Sequence, residues 1–194
     1  MTGRPAAVLF VCTGNVCRSP LMERLLTAQR AGPQASPGGH QLTVASAGTG
    51  ALVGSPMTDR AVAELVRLGV EPTAHLARQV TAELVSGADL VVTATRSHRA
   101  AVVTLVPRAT RYTFTALELA RLLTDTDTLS LPADPSLRVR ELAAVAASGR
   151  GLAPPPVTAY ADDIPDPYGR PDADYRRATD LMAPAVAVLA AALS

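Results

Sequence analysis

Apolar residues along this chain fall into two alternating rhythms. Short runs rich in Val, Leu and Ala at 6–12, 41–46, 88–94 and 109–114 predict strands buried on both faces. Between and after them, apolar positions recur every three or four residues at 19–31, 57–69, 96–106, 115–124 and 172–192, which predicts helices. In the second helix Asp59, Arg60, Glu64 and Arg67 alternate with Ala61, Leu65 and Leu68, and Gly69 stops it. Pro171 suits a first helical position, with Asp172 and Asp174 near the positive end of the helix dipole. Pro184 is expected to kink or split that last helix. Strands and helices in alternation predict an α/β fold: a small, doubly wound, four-stranded parallel sheet flanked by helices.

Two stretches break the rhythm. Residues 31–40 are rich in Gly, Pro and Ser and read as a flexible loop. Residues 124–161 hold a turn-rich start, a helical stretch from Leu137 to Ser148 and the run Pro154-Pro155-Pro156. This stretch lacks the apolar residues for a core of its own, so it reads as an extra helix on stiff arms within one domain, 1–194.

Composition narrows the function classes. Of the 194 residues 48% are hydrophobic, enough for one full core. A net charge of +1 gives no broad electrostatic case for nucleic acid or for an anionic membrane. The N-terminal apolar run lacks the layout of a secretory signal, and Val186 to Leu193 is far too short to span a bilayer. With only two Cys and no signal layout, the expected compartment is the cytoplasm. Three scattered His and two Cys have no metal-ligand spacing, so no metal and no other cofactor is expected. His40 and His98 read as a loop residue and a helix-surface residue, without a role.

The chemistry concentrates at Val8-Leu-Phe-Val-Cys12-Thr-Gly-Asn-Val-Cys-Arg18-Ser-Pro20. An apolar strand ends at a thiol, and a phosphate-binding loop of Thr13, Gly14, Asn15, Val16 and Cys17 follows before Arg18 and Ser19 open a helix. Unpaired N–H groups at a helix start, and successive N–H groups in a tight loop, attract anions. Gly14 and Asn15 tolerate the left-handed dihedrals such a loop needs. Arg18 offers a planar fork for two phosphoryl oxygens. The same positive field favours a thiolate at Cys12, to which Ser19 can donate a hydrogen bond. This is a layout for phosphoryl transfer to sulfur followed by hydrolysis.

The segment resembles the phosphate-binding loop of the low-molecular-weight protein tyrosine phosphatases. Val44-Ala-Ser46-Ala-Gly-Thr49 resembles that family's second strand and following turn, His75-Leu-Ala-Arg-Gln-Val80 its His-x-Ala-Arg-Gln segment, and Asp166-Pro-Tyr168 its acid loop. The order is the family's too, and the likeness covers roughly residues 5–120 and 162–193. The family's usual chain is shorter in the middle, which makes 124–161 an insertion.

The resemblance implies a nucleophilic Cys12, an oxyanion-binding Arg18 and Asp166 as general acid; on its own, Asp166 is equally an ordinary turn residue before Pro167. It implies that Ser46 and His75 hydrogen-bond Asn15 and stiffen the loop. Cys17 is a buried filler by residue type, and the resemblance makes it the thiol that closes a reversible disulfide with Cys12. Substrate walls fall to Leu52 and Tyr168. The family's usual aromatic after Ser-Ala-Gly-Thr is replaced by Gly50, Ala51, Leu52 and Val53, and Thr95 stands where the family commonly has Asp. Val16 matches the tyrosine branch rather than the arginine-phosphatase branch, which has Thr there.

The expected partner is a phosphorylated protein, with phosphotyrosine on a bacterial tyrosine kinase as one case, or a small phosphorylated metabolite. Phosphoarginine is a further alternative. Arsenate reduction would need thiols beyond Cys12 and Cys17, and a non-catalytic anion-binding module would not need Cys12, Arg18, Ser19 and Asp166 together. Because 124–161 runs directly into the Asp166 loop, it is expected beside the site mouth, with Leu129, Leu131 or Tyr160 touching substrate; a distal position is the alternative.

Overall fold

The computed structural model describes residues 5–30, 42–124, 126–127, 130–152, 154, 156, 158 and 160–194. His40, with the whole 31–40 loop, and Leu129 lie outside them. Four strands, β1 (Ala7–Cys12), β2 (Thr43–Gly48), β3 (Leu90–Thr93) and β4 (Thr113–Thr115), form one parallel sheet in the order β2-β1-β3-β4. The helices are α1 (Arg18–Arg30), α2 (Asp59–Arg67), α3 (Ala82–Gly87), α4 (Arg96–Leu105), α5 (Ala116–Leu123), α6 (Pro135–Gly149) and α7 (Asp172–Ala192).

Alternation along β1 builds the two layers. Val8, Phe10 and Cys12 face the larger core, shared with α1, α5 and α7, while Leu9 and Val11 face a smaller one with Val85 of α3 and Val102 of α4. Phe10 and Phe114 are fully buried, each stabilising the fold by about 1.5–3 kcal/mol. Among the described residues no helix is long and apolar enough to cross a membrane.

The order β2-β1-β3 also places the site. The chain leaves β1 towards one side for β2 and later returns to the other side for β3. The connections after β1 and β3 therefore diverge and open a crevice at the strands' C-terminal ends. Cys12 ends β1 at that crevice, and Thr95, next to the end of β3, caps α4 there by accepting from the His98 N–H.

Several boundaries differ from the sequence expectation. Residues 107–111 are a 3₁₀ turn begun by Pro107, so β4 is only three residues long and starts at Thr113. Helix α3 was not expected. Only Val85 of its six residues is buried, too few to leave a periodic signal, and its N-cap is Thr81. Gly69 does end α2, at φ 72°. Pro171 is the N-cap of α7 rather than its first residue, and α7 runs unbroken through Pro184. Helices α1 and α5 pack against α7, and it is buried both before and after Pro184, at Met182 and at Ala185 and Val186.

Helix α6 lies far from the crevice. Arg140 Nε pairs with Asp89 Oδ1 at 2.8 Å, and Asp89 Oδ2 accepts from the Ala7 N–H at 3.0 Å, at the starting edge of β1 and β3. Arg138 Nε donates to the Ala192 carbonyl, and Arg150 donates to the carbonyls of Thr110 and Thr113 at the start of β4. Val139, Leu142, Ala143 and Ala146 join the large core. Helix α6 is thus not beside the site mouth, Leu131 is buried in the core rather than free to touch substrate, and Tyr160 is exposed.

Candidate active site

The loop after β1 is held from outside by its carbonyl groups. Thr49, Gly50 and Leu52 donate backbone N–H groups to the carbonyls of Cys12, Thr13 and Gly14 at 2.9, 3.1 and 3.0 Å. Among the described residues no protein acceptor takes the N–H groups of Thr13 to Cys17. With carbonyls drawn outward and N–H groups left over, the loop is a nest at the N-terminus of α1, suited to an anion. The fit is close: a Cβ on Gly48 would collide with the Thr13 carbonyl oxygen, so only glycine lets β2 lie this near.

Asn15 is the keystone and the sole described non-glycine residue with positive φ, 56°. It is fully buried. Its Nδ2 donates to Ser19 Oγ and Ser46 Oγ, both at 2.9 Å, and its Oδ1 accepts from the Arg78 N–H at 2.9 Å. Its carbonyl meets His75 Nε2 at 2.7 Å. Ser46 and His75 thus both contact Asn15. Arg78, Gln79 and Glu23 were not singled out from sequence: Arg78 Nε donates to the Ser46 carbonyl, Gln79 brackets the 49–51 turn from both sides, and Glu23 accepts from Ser46 Oγ at 2.6 Å.

Cys12 is buried, with its Sγ 3.0 Å from Ser19 Oγ. Arg18 is buried as well. Its Nη1 donates to the Ile164 carbonyl at 3.1 Å, and its Nη2 pairs with Asp166 Oδ2 at 2.6 Å and lies 3.4 Å from Thr13 Oγ1. Arg18 Nε is buried and makes no hydrogen bond to protein. The Asp166 segment is tied to the sheet because the Ile164 N–H donates to the Ala94 carbonyl and Asp163 Oδ1 accepts from the Arg96 N–H at the start of α4. Asp162 is paired with Arg121 at 3.0 Å. Asp166 Oδ1 accepts from the Tyr168 N–H at 3.2 Å, a local turn that aims the carboxylate at Arg18.

These groups surround a cavity of about 140 Å³ lined by Cys12, Thr13, Gly14, Val16, Cys17, Arg18, Gly50, Leu52, Asp166 and Tyr168. Leu52 and Tyr168 line it, and no described residue of 124–161 does. Cys12 and Cys17 are free thiols. Cys17 Sγ lies 3.4 Å from Thr58 Oγ1 and 3.5 Å from the Tyr175 hydroxyl. Burial pushes the Cys17 thiol up, and burial together with the Cys17 contact pushes Tyr175 up to about 12. Both therefore keep their protons at neutral pH. Among the described residues no cluster of three His, Cys, Asp or Glu is placed to hold a metal ion.

His98 departs from expectation most. It is buried, not on the surface. Its Nε2 lies 2.8 Å from Thr13 Oγ1 and its Nδ1 2.7 Å from Thr95 Oγ1. Burial, and then the nearby Arg18 cation, push it down to about 4, so the ring is neutral at neutral pH. The available signal was positional: His98 is in the first turn of a helix that starts at the sheet's C-terminal edge, the edge that carries Cys12.

Chemically, a nest of N–H groups, a helix terminus and a guanidinium can hold an oxyanion above the Cys12 thiol, with a carboxyl group opposite. The family model described as low molecular weight phosphotyrosine protein phosphatase matches residues 7–128. The chain is 42% identical over 100 residues to "Low molecular weight protein-tyrosine-phosphatase Wzb" of Salmonella typhi, covering 52% of this chain and 61% of that one. It is also 42% identical over 85 residues to "Probable low molecular weight protein-tyrosine-phosphatase EpsP" of Ralstonia solanacearum, covering 44% and 52%. The matches thus span little more than half the length of these curated relatives. Among solved structures, the YwlE arginine phosphatase of Geobacillus stearothermophilus is 30% identical over 96% of this chain and 92% of that one, with a TM-score of 0.65.

Proposed function

The chain belongs to the low molecular weight phosphotyrosine protein phosphatase family, and on that premise we propose that it hydrolyses phosphate monoesters through a phosphocysteine intermediate, with phosphotyrosine in a protein as the substrate. The observation that carries the reading is the meeting of Cys12 Sγ, the N–H nest, Arg18 and Asp166 around one small cavity. In this reading Cys12 attacks phosphorus. The N–H groups of Thr13 to Ser19 and the Arg18 fork hold the equatorial oxygens, and Asp166 gives its proton to the leaving oxygen. Ser19, 3.0 Å from the sulfur, donates to the thiolate. Ser46 and His75 hold Asn15, and through it the loop. Leu52 and Tyr168 form the walls for the group that carries the phosphate.

We read the whole chain as one phosphatase domain with 124–161 inserted, acting in the cytoplasm, where free Cys12 and Cys17 stay reduced. No cofactor enters this mechanism. The kinase-borne phosphotyrosine of a bacterial tyrosine kinase fits the same chemistry. A second reading, phosphoarginine, is favoured by the nearly full-length likeness to an arginine phosphatase; Val16, on the cavity wall, favours phosphotyrosine. Turnover of a phosphotyrosine peptide, a phosphoarginine peptide and a panel of sugar phosphates separates these readings, and no turnover of any would refute them all.

The acid has its own test. Asp166→Asn is expected to slow alkyl phosphates about 10²–10⁴-fold and aryl phosphates with good leaving groups much less, because the latter need the proton less. Equal losses on both would give Asp166 a structural role, or point to Asp163. Cys17 is proposed as the resolving thiol. Mild peroxide should inactivate the wild type reversibly and Cys17→Ser irreversibly, read as activity regained after thiol treatment. Full recovery of Cys17→Ser would reduce Cys17 to packing against Thr58 and Tyr175.

A further inference from the structure

Across the crevice, the first turn of α4 reaches the phosphate-binding loop through a single ring. His98 bridges Thr95 Oγ1 (2.7 Å) and Thr13 Oγ1 (2.8 Å), and Thr13 Oγ1 is 3.4 Å from Arg18 Nη2. The Thr13 hydroxyl has one proton and two lone pairs. Arg18 has only donors to offer, so it takes a lone pair, and His98 fixes what remains. If Nε2 is the acceptor, Thr13 donates to the ring and Nδ1–H donates to Thr95. If Nε2 carries the proton, Thr13 receives two hydrogen bonds and its own proton is free to point at an oxyanion. Either way the Thr13 oxygen is held by the His98 ring, and Arg18 keeps a fixed acceptor on its loop side. The same Nη2 also meets Asp166 at 2.6 Å. Without the ring, the acceptor on the loop side is loose while Asp166 still pulls.

We propose that His98 is a positioning residue for Arg18, acting through Thr13 to hold the guanidinium against the loop and so set its affinity for an oxyanion. The proposal rests on the phosphatase reading only in that Arg18 is the oxyanion's ligand. A neutral ring, as burial and the Arg18 charge require, suits this task because it keeps one acceptor nitrogen and adds no competing cation beside the bound anion.

The two ends of the ring can be separated. Glutamine at 98 reaches roughly as far as Nε2 and can keep the bond to Thr13; asparagine reaches only as far as Nδ1 and can keep the bond to Thr95. Orthophosphate binding by calorimetry at neutral pH, with thermal unfolding beside it, reads both. His98→Asn and His98→Leu should bind orthophosphate about three- to tenfold more weakly, the scale of one neutral hydrogen bond, whereas His98→Gln stays near wild type. Thr13→Val should lose a similar factor, and Thr13→Val/His98→Leu should lose no more than Thr13→Val alone. If the residue only supports α4, the order reverses in the melting temperature, with His98→Asn the best tolerated, and orthophosphate affinity does not move; that result overturns the proposal. Wild-type protein that binds orthophosphate in this pattern but turns over no phosphate ester would sink the phosphatase reading and leave the positioning role standing. Wild-type protein that does not bind orthophosphate would sink both.

Discussion

Serine at position 12 is expected to leave no measurable turnover of an aryl phosphate while orthophosphate or vanadate still binds. Exchanging sulfur for oxygen leaves the N–H nest, the Arg18 fork and the carbonyl contacts from Thr49, Gly50 and Leu52 in place. It removes the one group in the cavity that is a strong nucleophile near neutral pH, since a hydroxyl has no adjacent base here: its neighbour is the Ser19 hydroxyl, at 3.0 Å. Loss of a covalent nucleophile costs about 10⁴–10⁶ in kcat. Steady-state assays paired with orthophosphate titration check both halves. Substantial turnover by Cys12→Ser would remove the phosphocysteine intermediate.

Arg18→Lys is expected to be nearly as damaging despite keeping the charge. The guanidinium reaches three partners at once: the Ile164 carbonyl, Asp166 and Thr13. An ammonium on a flexible stem cannot hold that set together with two phosphoryl oxygens. Loss of one well-placed transition-state donor costs about 10²–10³ in rate, so the loss of the fork should cost at least about 10³. The buried Ile164 carbonyl loses its donor from Arg18, at about 1–3 kcal/mol, which should lower the melting temperature too. The decisive comparison is kcat/KM with orthophosphate affinity. If Arg18→Lys stays within tenfold of wild type in both, the fork is not the oxyanion's ligand.

Much of this site was legible because its central part is contiguous. Strand, loop and helix start run from Ala7 to Ser19 without interruption, and the dihedral needs of Asn15 and the charge of Arg18 are local facts. Asn15's partners, Ser46, His75 and Arg78, come from distant segments, and no periodicity pairs them; the resemblance supplied two, and Arg78 went unnoticed because its contribution is a backbone N–H as much as a side chain. His98 was misread for a related reason. Its helix is amphipathic and polar in its first turn, which normally means solvent, but the β2-β1-β3 order turns that first turn towards the loop. Strand β4 and helix α3 are too short to show a period, and α7 is not split at Pro184, where it is packed between α1 and α5.

The seat of α6 gives the sheet a division of labour. Arg140 and Arg150 clasp the starting edge of the strands and Arg138 holds the end of α7, whereas the reactive groups sit at the finishing edge. The six residues of β1 separate the two by about 17 Å. At that distance, between sites that share no partner, free-energy changes add to within about 0.5 kcal/mol. Stability and chemistry therefore become two separate dials on one strand: sequence drift in 135–149 can turn the first while leaving the second in place.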